Sequence, residues 1–567
     1  MTAPAHPGLE QRFGRLTPAE AKLVANIGIG LLDRLGETPL PEAEDTHLHV
    51  RAELIRHLLL GGPDAPRMHE KGLRLSGARI IGTLDLEGCR IPADIGLLDC
   101  VFEAVPVLRS AVIDTISFDG SQLPGLAAER LDARGDLLAR GVRIDGPVAL
   151  RGAHIGGDLN LDGAELTRAG NRMLVADRIS VRGSALFRGA RLRGTLALAG
   201  ARIGDDLDLR GARLEREGAA ALDAGGVQVG GDLVLRLAEV QGQIDLVGAQ
   251  VKGDAECSGL VVTAPGEIAL NLGRSQVEGA FFLRQEARIG GTLSLNGATL
   301  GSIVDDAASW PAPGDLALNR CRYGGFLGAP VEAEDRLDWL ARQDAGRWGE
   351  DFWPQPYEHL ARVLAEMGHQ DDARAVLIEK ERLQRRTRIR RASRWTRKAL
   401  LWSSDRLLWL TTVYGRRPLV AMVWLLLFWG LGGGIYAWLD RHHHIRPNVP
   451  VVLRSPEWVL CGATADQQVG LASLGQVRPG LAEPGQSQLA CYRARPEAAA
   501  YPKFSPLMLS ADMILPGVDS GQKATWSPDT RSWPGYLAKL FAYFQAMAGL
   551  VLGLLAVAGF TGIVRSE

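Results

Sequence analysis

A 48-residue period between Leu126 and Leu300 constrains this chain more than any other feature. Each period contains three spacings of 11 residues and one of 15 between apolar anchors, which are Ile144, Ile155, Leu166, Val181, Leu192, Ile203, Leu214 and Val229 in the central part. The four additional residues recur in register, since Leu174 and Leu222 are also one period apart. A fixed internal period predicts a repeat architecture whose units bury their apolar faces by stacking.

Within each 11-residue unit, apolar and polar residues alternate and the run ends at a glycine, as in the unit that begins at Leu192 and turns at Gly200. Alternation with period two is typical of a strand with one buried face, and regularly placed glycines indicate tight corners. The sequence therefore predicts a mainly β protein built on a β-helix solenoid. Two units would form one coil, of about 22 residues or, with the insertion, about 26 residues, and a coil of about 11 residues remains the alternative.

The early repeats, from Ile80 to Phe118, keep the pattern but are shifted by about five residues. This shift predicts a bend or a capping irregularity near the beginning of the solenoid.

Segments on either side of the solenoid have helical patterns. Thr17 and Glu20 have the spacing of a capping box that would begin a helix running to about Leu35. The predicted organisation is a helical N-terminal cap (1–70), the solenoid (71–310) and a helical linker with a basic end (311–415).

Two apolar segments, 418–439 and 537–564, are long enough to cross a bilayer as a two-helix transmembrane hairpin. Cations precede the first segment and are expected to bind anionic lipid headgroups: Arg385, Arg386, Arg388, Arg390, Arg391, Arg394, Arg397 and Lys398. By the positive-inside rule, they predict a multi-pass protein of the inner (plasma) membrane with cytoplasmic N- and C-termini and an exported loop, 440–536.

The predicted exported loop contains the other candidate site residues. Cys461 and Cys491 are expected to form a disulfide in an oxidising compartment. His442, His443 and His444 could bind a transition metal, although a polar helix end at the membrane surface accounts for them as well. The apolar stretch from Phe504 to Asp519 could enter the bilayer as a re-entrant turn, provided that it packs on protein or lines a cavity.

Charge and motif content narrow the function classes. The formal net charge is −1, and residues 133–300 contain 20 basic and 20 acidic residues, which argues against nucleic acid as a partner. The chain contains no dinucleotide-binding fingerprint, P-loop, zinc-protease motif or nucleophile elbow. We therefore predict no bound cofactor and no catalytic residues.

Several segments resemble bacterial membrane-anchored β-helix repeat proteins, many of which are catalogued as membrane-associated oxidoreductases. The resemblance lies in Arg336–Arg342, Phe352–Arg386, Phe504–Trp526 and Ala558–Arg565. It implies a membrane-attached repeat protein and, through the family label, a redox enzyme. The layout is also similar to that of pentapeptide-repeat proteins fused to a two-span ion-channel module, but this chain lacks the Thr-Val-Gly-Tyr-Gly filter between its apolar segments.

Three function hypotheses follow. The first is a non-enzymatic scaffold whose solenoid binds an unknown protein partner along one face. The second is a homo-oligomeric channel, because Gly430 and Gly434, and likewise Gly549 and Gly553, would permit close helix contact. The third is the membrane-associated oxidoreductase that the family label implies.

Overall fold

The structure is a computed structural model of the 567-residue chain. It describes residues 7–35, 40–391, 402, 406, 419–462, 482–483, 485–515 and 517–560, without the side chains of 168–171 and 558–560. The chain divides into two compact units, Met1–Lys380 and Glu381–Glu567. The first unit is a parallel β-solenoid of about 11 turns with helices before and after it, which confirms the predicted fold class.

Each central turn of the solenoid contains four short strands separated by corners. In one turn these are Arg143–Ile144, Val148–Ala149, His154–Ile155 and Leu159–Asn160. Each strand pairs in parallel with its equivalent one turn later, so the turns are joined by four ladders. We number these ladders first to fourth in the order given.

The first and second ladders form one sheet. The first contains His49–Arg51, Arg79–Ile81, Val101–Phe102, Gln122–Leu123 and Arg143–Ile144. The second contains Leu126–Ala127, Val148–Ala149 and Leu316–Ala317. Longer strands contribute to both: Glu165–Val175, Arg191–Ala197, Arg213–Asp223, Glu239–Asp245, Val261–Asn271 and Arg288–Ser294.

The third and fourth ladders form the other large sheet. The third contains Arg90–Ile91, Val112–Ile113, Asp132–Ala133, His154–Ile155, Ser180–Val181, Arg202–Ile203, Gln228–Val229, Gln250–Val251 and Arg322–Tyr323. The fourth contains Asp33–Arg34, Leu73–Ser76, Ile95–Leu98, Ile116–Ser117, Leu137–Leu138, Leu159–Asn160, Ala185–Leu186, Leu207–Asp208, Leu233–Val234 and Ala255–Glu256. Gln276–Leu283 and Thr299–Asp305 belong to both.

Contacts between successive turns show how long each turn is. The backbone N–H of Asp158 donates to Asp136 of the preceding turn, 22 residues earlier. The backbone N–H of Ser184 donates to Asp158 in the same way, 26 residues earlier. The strands beside these residues pair with the same alternation. The predicted alternation of shorter and longer coils is thus confirmed, and the alternative in which one unit forms a whole coil is wrong.

The early phase shift arises from shorter turns. Ile95 pairs with Ile116, and Val112 pairs with Asp132, so these turns are one or two residues shorter than the shorter of the central turns. Parallel pairing continues through them. The shift that suggested a bend is therefore explained by the loss of one or two residues from a corner.

The interior of the solenoid is mainly apolar, with a few buried polar side chains such as Ser121 and Ser258. The anchor residues, such as Ile155 and Leu192, are buried together with the alanines that follow the corner glycines. The corner itself needs a left-handed backbone, because Gly211 and Gly259 have φ of +64° and +65°, and Leu237 adopts +57° at the equivalent place between them. Burial of one residue in two explains the alternating pattern of the sequence.

The N-terminal end contains helices Pro7–Phe13, Pro18–Asn26 and Ala52–Leu59 and the 3₁₀ turn Thr46–Leu48. The capping box of Thr17 and Glu20 is present, but the helix that it begins ends at Asn26 rather than near Leu35. Two strands from this region instead extend the first and fourth ladders by pairing with Arg79–Ile81 and with Leu75 and Ser76. Strand addition therefore covers the exposed backbone of the first turn.

The C-terminal end of the solenoid is covered by helices Ala333–Ala341 and Gln355–Glu366. Helix Gln370–Arg391 follows, and 3₁₀ turns lie at Ala307–Ser309 and Ala345–Trp348. Arg336 is fully buried here and forms a two-point ion pair with Asp305, at 2.7 and 2.8 Å. This contact joins the first covering helix to the last long strand of the solenoid.

The second unit contains two long apolar helices, Leu419–Arg441 and Trp533–Phe560, which we call the first and second span helices. Between them lie helices Pro450–Leu453, Pro456–Cys461, Gln488–Arg493, Pro506–Ile514 and Gln522–Thr525 and the 3₁₀ turn Pro496–Ala500. Ile445–Pro447 pairs antiparallel with Trp526–Pro528. By length and composition, both span helices are able to cross a membrane.

Candidate functional site

The four-residue inserts lie on one face of the solenoid, between the first and second ladders. They comprise residues 168–171, 216–219 and 264–267 and recur in every second turn. The intervening turns pass beneath them in an extended strand, in which Gly242 and Gly291 occupy equivalent places. An ideal Cβ on Gly242 would overlap the carbonyl oxygen of Arg216 and lie 2.8 Å from that of Ala219. The strand beneath the inserts thus needs glycine at this position, because any side chain would overlap the backbone of the insert.

A groove of about 560 Å³ separates two successive inserts. We call it the insert groove, and it is lined by Glu217, Gly218, Ala219, Gln241, Gly242, Gln243, Thr263, Ala264, Pro265 and Glu267. Gln243 Nε2, from the strand between the inserts, donates a hydrogen bond of 3.3 Å to Glu267 Oε2. The lining has two carboxylates and no basic side chain, so it is suited to a ligand that offers hydrogen-bond donors or positive charge.

A second cavity of about 360 Å³ lies along the third ladder and is lined by Arg202, Gln228, Gln250, Lys252, Gln276 and Glu278 among others. Arginines on the first ladder have acidic partners instead: Arg143 and Arg191 both contact Glu165 at 3.2 Å. The exterior of the solenoid is therefore mixed in charge, as the balanced composition indicated.

Five of the eight cations that were predicted to bind lipid lie on helix Gln370–Arg391: Arg385, Arg386, Arg388, Arg390 and Arg391. Arg385 contacts Glu381 one helical turn earlier, at 3.9 Å. Arg394, Arg397 and Lys398 lie outside the described residues. Lipid binding by this group stays a prediction.

The three adjacent histidines follow the first span helix closely. His442 Nδ1 lies 2.8 Å from the carbonyl oxygen of Trp438, and the His442 and His444 rings stack on the Trp438 indole. Among the residues that the structure describes, no group of three or more His, Cys, Asp or Glu side chains could hold a metal ion. His442 and His444 thus pack against Trp438 near the end of the first span helix.

The predicted cysteine pair is joined: Cys461 and Cys491 form a disulfide across 30 residues of chain. It connects helices Pro456–Cys461 and Gln488–Arg493 within the apolar core of the second unit. Cys100 and Cys321 are buried in the solenoid, and burial raises the pKa of each thiol to about 12. Because the thiolate is the reactive form, these two groups are inert packing elements.

The apolar stretch for which a re-entrant turn was one possibility contains the helix Pro506–Ile514, which we call the inter-span helix. It packs against both span helices. Gly549 of the second span helix lies so close to the inter-span helix that an ideal Cβ there would overlap the carbonyl oxygen of Ile514. Gly549 of the second span helix therefore serves this contact, whereas Gly430 and Gly434 on the first span helix have no atom within 4 Å of an ideal Cβ.

A buried polar network holds the inter-span helix. Gln545 Nε2 donates to Ser510 Oγ at 2.7 Å and to the Phe428 carbonyl at 3.1 Å, and its Oε1 accepts from the Tyr436 hydroxyl at 3.1 Å. Ser510 Oγ donates in turn to the Trp429 carbonyl at 2.7 Å. Sequence reasoning missed this network, although a glutamine within the apolar run that follows Lys539 could have indicated it.

Comparison with protein-family models, with curated proteins and with solved structures gives no match. The fold and the two span helices define a β-solenoid protein with a membrane-capable helical unit. The resemblance to membrane-associated oxidoreductases and to pentapeptide-repeat proteins gains no support from the comparisons.

Proposed function

We propose that this protein is a membrane-anchored scaffold whose β-solenoid binds a protein partner at the insert groove. The observation that carries the proposal is the groove between two successive inserts. The inserts interrupt an otherwise regular exterior at a fixed interval. Solenoids commonly bind along such a face. The partner segment would present backbone N–H groups or basic side chains to Glu217, Gln243 and Glu267.

The proposed attachment places both span helices in the bilayer of the inner membrane. Their outward side chains are large and apolar, including Leu426, Leu427, Met547, Leu554 and Val557, each more than half exposed in the isolated chain. The orientation that we propose has cytoplasmic termini and an exported segment 440–536, in agreement with the cations that precede the first span helix.

Site-specific photocrosslinking in native membranes tests the scaffold. A photoreactive residue at Gly218 or Gly266, in two successive inserts, is expected to give the same protein adduct from both positions. Gly211 is the matched control, because it shares their positive φ and open surroundings but lies at another corner. The identified partner should then bind the purified protein directly. Equal labelling from Gly211, or no adduct from either insert, would contradict the proposal.

A homo-oligomeric pore is the second candidate. It is favoured by Gly430 and Gly434, which face open space on the first span helix and would admit a close neighbour. Under this candidate, the protein purified in detergent has a multiple of the 61.0 kDa chain mass and conducts ions in planar bilayers. Monomeric mass together with silent bilayers would exclude it.

A further inference from the structure

A cavity of about 370 Å³ in the second unit differs in chemistry from both grooves of the solenoid. Its lining includes three basic side chains, one carboxylate and four aromatic rings, namely Arg493, Arg495, Lys503, Asp440, Tyr492, Tyr501, Phe504 and Trp526. The side chains that line the cavity therefore carry a formal net charge of +2. We call this site the basic aromatic cavity.

The charged groups of the cavity are held in place. Arg493 Nη2 donates to Asp440 Oδ1 at 2.6 Å, and its guanidinium lies 5.3 Å from the centre of the Trp526 ring. Such a contact orients the planar guanidinium while leaving other N–H groups to bind a ligand, because arginine has five donors. The cavity thus has an oriented cation against an aromatic wall.

The part of the cavity lining that contains Lys503 is held through its backbone. Trp526 Nε1 donates to the Pro502 carbonyl at 2.9 Å, and Gln522 Nε2 donates to the Lys503 carbonyl at 3.0 Å. Lys503 itself is exposed, and among the described residues its ammonium makes no ion pair. A lysine on a fixed backbone supplies a point charge that a bound anion can reach.

The position of the cavity in the unit indicates which anion it would meet. Asp440 is the penultimate residue of the first span helix, and Trp438 lies half a turn before it. Tryptophan at the end of an apolar helix is typical of the membrane–water interface, which is also the level of the phospholipid phosphates. From this geometry we propose that the basic aromatic cavity binds the phosphate of an anionic phospholipid, with the aromatic walls against its glycerol portion. The proposal rests on the membrane attachment in the proposed function.

Calorimetric titration of the full-length protein in non-ionic detergent tests this site. A short-chain phosphatidylglycerol is expected to bind, and Lys503→Gln to weaken binding roughly tenfold through the loss of one charge-assisted contact. Lys503→Arg should retain affinity. Lys523→Gln is the matched control, because Lys523 pairs with Asp519 at 3.7 Å and does not line the cavity.

The remaining arms separate the sources of the anion. Short-chain phosphatidylcholine and inorganic phosphate should both bind more weakly than phosphatidylglycerol. Equal affinity of wild type and Lys503→Gln for phosphatidylglycerol overturns the site. Inorganic phosphate that binds as tightly as the lipid and depends equally on Lys503 overturns the lipid source. If alkaline carbonate released the protein from membranes, the proposed membrane attachment itself would be contradicted. Failure of the proposed function is therefore distinguishable from failure of the lipid site.

Discussion

Replacing Arg336 with methionine is expected to destabilise the C-terminal end of the solenoid by about 3–5 kcal/mol, because it leaves a buried carboxylate without its counter-charge. Asp305 is 3% exposed and receives both arms of the guanidinium. Arg336 Nε also donates to the Pro330 carbonyl at 2.7 Å, and the guanidinium carbon lies 3.7 Å from the Phe326 ring centre. Methionine replaces much of the volume but none of these polar contacts.

Hydrogen exchange of peptides from Thr299–Asp305 and Ala333–Ala341, measured in the full-length protein, checks this expectation. Arg374→Met is the matched control: its pair with Asp371 is exposed and should contribute less than about 1 kcal/mol. Adding Asp305→Asn to Arg336→Met should recover part of the lost protection, since the unpaired charge is then removed. Identical exchange in Arg336→Met and Arg374→Met would contradict the assigned role.

Replacing Gly242 with alanine is expected to cost about 2–4 kcal/mol, from backbone strain and overpacking together. Gly242 has a φ of +126°, and an added Cβ would meet the Arg216 and Ala219 carbonyl oxygens within 2.8 Å. Both oxygens belong to the backbone of the insert, so the overlap can be relieved only if the insert moves. The substitution should therefore loosen the insert groove as well as the turn.

Gly225→Ala is the matched control, because the nearest atom to its ideal Cβ is 3.8 Å away and its φ is not positive. Hydrogen exchange of Arg213–Asp223 and Glu239–Asp245 should rise in Gly242→Ala and stay at the wild-type level in Gly225→Ala. Photocrosslinking from Gly218 should also fall in the Gly242→Ala background. Unchanged exchange in both variants would show that the insert adapts without cost.

Much of the solenoid could be predicted because its structure follows from the spacing of residues that are near one another in the chain. Anchors such as Ile155 and Val181 repeat with the ladder, so the spacing of apolar residues reports the length of a turn directly. The early turns were harder to interpret, since the loss of one residue at a corner changes the phase without changing the burial pattern. The N-terminal strands His49–Arg51 and Asp33–Arg34 were missed for a related reason: they are short, and their strand conformation comes from pairing with a turn that already exists.

The candidate sites depended more on contacts between distant residues. The inserts were visible as a column of four extra residues, but the groove between them requires both inserts and the intervening strand with Gly242. The basic aromatic cavity combines residues from separate elements between Asp440 and Trp526, and no motif connects them. Gln545 and Ser510 likewise meet only because the inter-span helix packs on both span helices.

By itself, the sequence determined the β-solenoid, the alternation of its shorter and longer turns, the face that carries the inserts and the two membrane-capable helices, because each follows from periodicity or composition over neighbouring residues. Tertiary structure alone decided the shorter early turns, the Asp305–Arg336 pair, the position of the inter-span helix and the basic aromatic cavity. The early turns needed the strand pairing to fix their length, whereas the ion pair, the inter-span helix and the cavity depend on residues that are distant in the chain and meet only through tertiary packing.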